Sequence, residues 1–96
     1  MRRAAKIDDI QGDVVQALRK VGASVEVMSA VGQGFPDILV GYQGHDYKME
    51  LKDPGARKRY KGTKLTQDQW LWHQQWSGSQ VFIVESVEHA LAVIGF

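Results

Sequence analysis

Apolar residues in the first half of the chain recur first at helical and then at strand spacing. Over residues 7–21 they fall three and four positions apart, which predicts an amphipathic helix that stops before Gly22. Residues 24–29 alternate apolar and polar side chains, the pattern of a strand with one buried face. Residues 38–40 are continuously apolar, which predicts a strand covered on both faces. Residues 47–52 follow as an antiparallel return strand.

The remaining segments are separated by residues that form turns or break helices. Residues 43–46 predict the turn of the hairpin, and residues 53–65, interrupted by proline and glycine, predict a flexible basic loop. Residues 66–76 begin with a capping box, in which a threonine and a glutamine each satisfy the other's backbone amide, and so predict a helix. Residues 80–85 predict a further buried strand, and Ser86 caps a last short helix.

The order of these elements predicts an α/β fold with the arrangement αβββαβα. A mixed four-stranded sheet flanked by helices is expected, with the fourth strand reached by a crossover through the preceding helix. The chain has 96 residues, of which 44% are hydrophobic, so residues 1–96 are expected to form one domain. A domain of this size has a small margin of stability, which favours an oligomer that buries more apolar surface.

Composition limits the chemistry that the chain can support. It has no cysteine, so any bound metal must be held by oxygen or imidazole. The formal net charge is +1, and total charge therefore does not indicate a nucleic-acid partner. The basic N-terminus leads into acidic residues rather than an apolar run, and no window approaches the roughly 20 apolar residues of a membrane span. We therefore expect a soluble, cytoplasmic protein with no membrane partner.

Two acids and a lysine should meet on the hairpin formed by the second and third strands. A hairpin that closes between positions 42 and 47 places Lys52 opposite Asp37, with Glu50 as the diagonal neighbour. A register shifted by two residues places Glu50 directly opposite Asp37 instead. In either register the three polar side chains share one face of the sheet, because side chains alternate along a strand.

This convergence favours a metal site. Carboxylates beside apolar strands repel one another and lose hydration, so that one takes up a proton unless a cation lies between them. Oxygen ligands without cysteine favour Mg²⁺ or Mn²⁺ over zinc. Lys52 could then orient a water or stabilise developing charge. The alternative is a surface ion pair, although Asp37 follows Pro36 at the start of a buried run, which is an unfavourable place for a solvated charge.

A basic segment and an aromatic helix offer further candidates. Cations near a nucleotide site add affinity through counterion release, and a tyrosine among them can stack on a base. The alternative for this segment is an ordinary solvated loop. Trp72 and Trp76 share a helix face, where core packing or a subunit interface is the favoured interpretation. The candidate DNA-binding residues are Arg57, Lys58, Arg59, Tyr60, Lys61 and Lys64.

Several segments of the chain resemble the VRR-NUC domains of the PD-(D/E)XK nuclease superfamily. Residues 34–41 resemble the family's G-x-P-D strand, and residues 50–52 its E-x-K triplet. Residues 65–73 resemble the helix that follows in the family, and residues 81–91 its closing strand and helix. The resemblance therefore covers nearly the whole chain, with the elements in the family's order.

The resemblance implies a restriction-endonuclease-like core that hydrolyses DNA phosphodiester bonds with Mg²⁺ or Mn²⁺. By this resemblance Asp37 and Glu50 are metal ligands, and the backbone carbonyl of Leu51 is a third. Lys52 is the catalytic lysine. The small stand-alone members from phages and bacteria resemble dimeric junction resolvases, which implies a homodimer and a preference for branched DNA.

Four further residues are candidates for supporting the site. The family usually has an acid on the first helix, and Asp8 is the preferred choice over Asp9 because it shares a helix edge with Gln11, which resembles the family's helix glutamine. Gln69 also matches a family position, although its part in the capping box explains it equally well. His73 lies one turn beyond Gln69 and could contact DNA or a water at the metal, or be a structural histidine.

Two other functions compete with the nuclease. The first is a non-catalytic DNA-binding module that kept the fold, and the intact acids and lysine argue against it. The second is a small interaction domain whose polar hairpin face is merely solvated, and the basic segment argues against that. No phosphate-binding glycine loop or dinucleotide motif is present, so no nucleotide cofactor is expected.

Overall fold

The computed structural model describes residues 10–96, which contain three α-helices and a four-stranded sheet. Two short 3₁₀ turns, Ser29–Val31 and Tyr60–Gly62, interrupt the loops. None of the helices within this range is long and apolar enough to span a membrane. In chain order the elements are α1 (Gln11–Lys20), β1 (Ser24–Val27), β2 (Ile38–Tyr42), β3 (His45–Leu51), α2 (Gln67–Gln75), β4 (Val81–Val84) and α3 (Val87–Val93).

The sheet confirms the expected topology. Its strands lie in the order β1-β2-β3-β4. The first three strands are antiparallel neighbours, whereas β4 pairs parallel with β3. The parallel pairing requires a crossover, and α2 lies within it, as the sequence predicts.

The β2–β3 hairpin is tighter than the sequence predicts. Tyr42 pairs with His45, so the turn contains only Gln43 and Gly44 rather than four residues. Both turn residues have positive φ, 49° and 83°, as the two central positions of a type I′ turn require. Ile38 pairs with Met49, and continuing this register places Asp37 across from Glu50. The predicted register in which the hairpin closes between residues 42 and 47 is therefore wrong. The alternative predicted register, which is shifted by two residues, is correct.

The hydrophobic core lies on one face of the sheet. Helices α1 and α3 pack against this face and against each other. Alternate residues of β2 and β3 point into it, which follows from the pleat of a strand. The central buried side chains are Val14, Leu18, Ile38, Val40, Met49, Val84 and Ala90.

The opposite face is covered only in part. Leu39 in β2 and Ile83 in β4 are each 37% exposed, so the prediction that residues 38–40 and 80–85 are fully buried strands is wrong. Gln69 of α2 forms hydrogen bonds with Glu50 and Lys52, and none of the α2 residues is buried. A continuous apolar run in a short strand thus did not distinguish one covered face from two.

The caps of α2 and α3 form as the sequence predicts. Thr66 Oγ1 accepts a hydrogen bond from the Gln69 amide at 3.2 Å, and Gln69 Oε1 accepts one from the Thr66 amide at 2.9 Å. Ser86 Oγ accepts a hydrogen bond from the His89 amide at 3.0 Å. The start of the predicted first helix, residues 7–9, lies outside the described residues.

The loop before Asp37 packs against the first turn of α2. Gly34 has a φ of +87°, and a Cβ built on it would lie 2.3 Å from the Asp68 carbonyl oxygen. The Phe35 ring meets the Trp72 ring edge to face, with the centroids 5.1 Å apart. A residue without a side chain at position 34 therefore allows α2 to approach the strand that carries Asp37.

We expect Gly34→Ala to destabilise the protein more than Gly44→Ala. Gly44 has a similar φ of +83° but open space around its Cβ position, so Gly44→Ala measures the backbone cost alone, about 1–2 kcal/mol. The clash with Asp68 should add about 1–3 kcal/mol for Gly34→Ala. Urea unfolding of both variants measures the difference in the free energy of unfolding. Equal decreases in the two variants would show that the close approach of Gly34 to Asp68 does not contribute to stability.

Candidate active site

Asp37 lies at the junction of β1, β2 and β3. Its backbone carbonyl accepts a hydrogen bond from the Met28 amide at 2.7 Å, which joins it to the end of β1. Its side-chain Oδ2 accepts a hydrogen bond from the Leu51 amide at 2.8 Å. The carboxylate is thus held against the strand that carries Glu50, with the Leu51 backbone beside it.

Glu50 is a completely buried carboxyl group on the sheet face opposite the core. Its side chain is 0% exposed, and its Oε2 accepts a hydrogen bond from Gln69 Nε2 at 3.0 Å. Its Oε1 has no hydrogen-bond partner. Burial, the largest cause, and the neighbouring charge of Asp37 together raise the pKa of Glu50 to about 9, against an opposing effect of the Lys52 charge.

Gln69 connects Glu50 to Lys52. Its Oε1 accepts hydrogen bonds from Lys52 Nζ at 2.9 Å and from the Thr66 amide at 2.9 Å, while its Nε2 donates to Glu50. The orientation of the amide agrees with its chemistry, because the two donors, Lys52 Nζ and the Thr66 amide, face its oxygen, and an accepting oxygen of Glu50 faces its nitrogen. The capping role and the site role, which the sequence leaves as alternatives, are therefore filled by one side chain.

His73 faces the unpaired oxygen of Glu50. Its Nε2 lies 3.7 Å from Glu50 Oε1, its side chain is 9% exposed, and the nitrogen has no hydrogen-bond partner. Burial lowers the pKa of His73 and the charge of Lys52 lowers this pKa further, although Asp37 acts in the opposite direction. The imidazole is thus part of the same buried polar cluster as Glu50.

Gln11 is the first-helix candidate that the structure describes, and its recorded hydrogen bond is not with this cluster. Gln11 Oε1 accepts a hydrogen bond from Ser29 Oγ at 3.2 Å, which joins α1 to the 3₁₀ turn after β1. The hydrogen bonds of Glu50 and Lys52 involve Gln69 and not Gln11. Asp8 lies outside the described residues.

The cluster fits a divalent cation in its chemistry, although its described side chains do not complete a coordination shell. Between residues 10 and 96, no three His, Asp or Glu side chains form a group that could hold an ion by themselves. Asp37 and Glu50 are nevertheless adjacent carboxyl groups, and Glu50 Oε1 is buried without a partner. A buried unpaired oxygen beside a second acid is the position where a cation relieves both repulsion and lost hydration.

The basic segment is a structured loop rather than the flexible one that the sequence predicts. The Tyr60 amide donates to the Leu65 carbonyl at 3.1 Å, and the Tyr60 ring meets the Trp70 ring edge to face at 5.5 Å. Lys61 Nζ lies 5.5 Å and 5.3 Å from the centroids of these two rings. These contacts attach the loop to the first turn of α2.

The cations of this loop differ in their surroundings. Lys64 Nζ forms an ion pair with Glu85 at 3.0 Å and donates to the Pro54 carbonyl at 2.8 Å. Its charge is therefore partly compensated within the protein. Arg57, Lys58 and Arg59 are exposed to solvent.

The tryptophans of α2 do not form a buried core. Trp72 and Trp76 stack with their centroids 4.6 Å apart and an interplanar angle of 13°. Trp76 remains 47% exposed, with Lys48 Nζ 5.7 Å above its ring. Their shared face is as predicted, and of the two favoured interpretations core packing is wrong for Trp76.

Comparison with known proteins agrees with the fold. No protein-family model matches the chain, and no curated protein matches it. A solved structure described as a VRR_NUC domain is similar to it, with a TM-score of 0.62, 26% sequence identity, and coverage of 90% of this chain and 97% of the other. The fold is therefore a restriction-endonuclease-like core. Within that class, the similarity confirms the resemblance to the VRR-NUC domains.

The stability of the metal-free protein should fall as the pH rises, because of Glu50. The unfolded chain ionises this residue near its ordinary pKa of 4.5, whereas the folded chain holds the proton to a pKa of about 9. Between these values the folded state binds more protons, so the free energy of unfolding decreases with pH. We expect Glu50→Gln to remove this decrease.

The measurement is urea unfolding in EDTA at a series of pH values for the wild type and Glu50→Gln. The lowered pKa of His73 has the opposite sign below pH 6.5, and comparing the two proteins largely removes it. Parallel curves for the two proteins from pH 5 to 9 would contradict a protonated Glu50.

Proposed function

We propose that the protein is an endonuclease that hydrolyses DNA phosphodiester bonds with Mg²⁺ or Mn²⁺. The observation that carries this proposal is the buried Glu50, which lies beside Asp37, is joined to Lys52 through Gln69, and keeps one oxygen without a partner. A surface ion pair would not need a buried carboxyl group or a glutamine that links it to a lysine. The similarity to a VRR_NUC domain supports a nuclease-type function.

The roles proposed for Asp37, Glu50, the Leu51 carbonyl and Lys52 are those that the resemblance to the VRR-NUC domains implies. Asp37, Glu50 and the Leu51 carbonyl would hold the cation, which would acidify a water and neutralise charge on the phosphate. Lys52 would orient that water or stabilise the negative charge that develops on the phosphate oxygens. Gln69 would keep the Lys52 ammonium group in place, because it accepts a hydrogen bond from Lys52 Nζ at 2.9 Å.

DNA would contact the exposed part of the basic loop. Arg57, Lys58 and Arg59 are exposed and adjacent in the chain, so they can neutralise successive phosphates. Tyr60 and Lys61 would contribute less, since their described contacts are with Trp70 and with each other. Lys64 is compensated by Glu85 and would contribute least.

Branched DNA and a homodimer are the finer parts of this proposal. A twofold pair of small domains would present two sites to two strands of a junction. The partly covered sheet face supports association, since Leu39, Ile83 and Trp76 are each more than one-third exposed. The competing function is a DNA-binding module without catalysis, which a panel of linear, flapped and four-way-junction DNA distinguishes because that module would bind without cutting.

We expect the purified protein to cut DNA with Mg²⁺ or Mn²⁺, and EDTA to abolish cutting. Asp37→Ala and Glu50→Ala should abolish it as well, because each removes an oxygen ligand. Lys52→Met should lower the rate by about 10²–10³-fold, since it removes a charge aimed at the reacting phosphate. Single-turnover cleavage of a labelled duplex and of a four-way junction measures these effects.

The matched controls are Asp46→Asn and Lys20→Met, exposed acidic and basic residues away from the cluster. Both should cut at the wild-type rate. Undiminished cutting by Lys52→Met would overturn the assigned mechanism, and binding without cutting by the wild type would favour the module.

Neutralising the exposed cations of the basic loop should weaken DNA binding and its dependence on salt. Arg57→Gln or Arg59→Gln should each reduce the slope of log affinity against log salt by about 1 if it loses a phosphate contact. Lys64→Gln is the control within the loop, because its charge is already compensated by Glu85. Fluorescence anisotropy with the inactive Asp37→Asn protein at several salt concentrations gives the slopes, and equal slopes for all variants would exclude this loop.

A further inference from the structure

Two buried polar atoms face each other in the active-site cluster without any partner. They are Glu50 Oε1 and His73 Nε2, which are 3.7 Å apart and belong to side chains that are 0% and 9% exposed. Buried polar atoms are nearly always hydrogen-bonded, so a facing pair of unpaired atoms requires an explanation.

The separation of the two atoms, 3.7 Å, fits a bridging cation better than a direct hydrogen bond or a bridging water. A direct hydrogen bond needs a separation of about 2.7–3.2 Å, which is shorter than the observed distance. A bridging water with two bonds of about 2.8 Å would place the atoms roughly 4.4 Å apart at an open angle. A divalent cation with bonds of about 2.0–2.2 Å to each atom spans up to roughly 4.4 Å, and a smaller angle at the ion gives the shorter separation observed, so it can lie between them.

Gln69 and Lys52 already make hydrogen bonds to other atoms of the cluster. Glu50 Oε2 accepts from Gln69 Nε2, and Lys52 Nζ donates to Gln69 Oε1. Neither Gln69 nor Lys52 is therefore directed at Glu50 Oε1. His73 lies one helical turn after Gln69, so both side chains project from the same edge of α2 toward the sheet.

We propose that His73 Nε2 is a ligand of the divalent cation, together with Glu50 Oε1. This inference rests on the proposed function, because it adds an imidazole to the oxygen ligands already named. The side chains of Asp37, Glu50 and His73 do not form a three-ligand group in the described residues, so binding the cation would draw them together. Its chemical consequence concerns the choice of metal: an imidazole nitrogen favours Mn²⁺ over Mg²⁺, whereas a site made only of oxygen does not discriminate in this way.

The test is pulsed electron paramagnetic resonance of Mn²⁺ bound to the protein without DNA. Wild-type protein should show ¹⁴N modulation from a coordinated imidazole, and labelling the histidines with ¹⁵N should convert it to the ¹⁵N pattern without altering the fold. His73→Gln should remove the imidazole signal and lower Mn²⁺ affinity by about tenfold or more, with a smaller effect on Mg²⁺ affinity. Calorimetric titration gives both affinities.

His89→Gln is the matched control, since His89 is an exposed histidine on α3. It should keep both the nitrogen signal and the Mn²⁺ affinity. Mn²⁺ bound through Asp37 and Glu50 without an imidazole signal would overturn the inference while the proposed function stands. Wild-type protein that binds neither cation and cuts no DNA would overturn both.

Discussion

A carboxyl group with no access to solvent is the constraint on which the rest of the site depends. Glu50 lies on the face of the sheet away from the apolar core, yet it is completely buried because Gln69 and His73 of α2 lie over it. Removing a carboxyl group from water is costly unless hydrogen bonds or a cation compensate. The glutamine satisfies one oxygen, and the acid beside it makes ionisation of the other still less favourable.

Two backbone features place the surrounding groups. The two-residue turn at Gln43 and Gly44 sets the register that brings Asp37 opposite Glu50. The close approach of Gly34 to Asp68 brings the first turn of α2 against the same end of the hairpin. The turn at Gln43 and Gly44 and the contact of Gly34 with Asp68 therefore fix the backbone positions from which the side chains of the cluster project.

Much of the fold was predictable from the sequence, because it depends on local rules. The element order follows from periodicity, and the caps at Thr66 and Ser86 follow from residue type. That Asp37, Glu50 and Lys52 share a face follows from strand parity, which a shift of two residues preserves.

The remaining features depend on contacts between segments that are distant in the chain or on uncommon backbone conformations. Gln43 has a positive φ although it is not glycine, and the residue type therefore did not indicate a two-residue turn. The ordered basic loop depends on Tyr60 packing against Trp70. Leu39 and Ile83 are exposed because their face of the sheet is only partly covered by other elements. The sequence of a strand alone does not predict that cover. Since α2 has no buried residue, its docking relies on Phe35, Gly34 and the polar groups of the site. A cation held by His73 and Glu50, as proposed, would join the helix to the sheet and would therefore link the local order of α2 to ion binding.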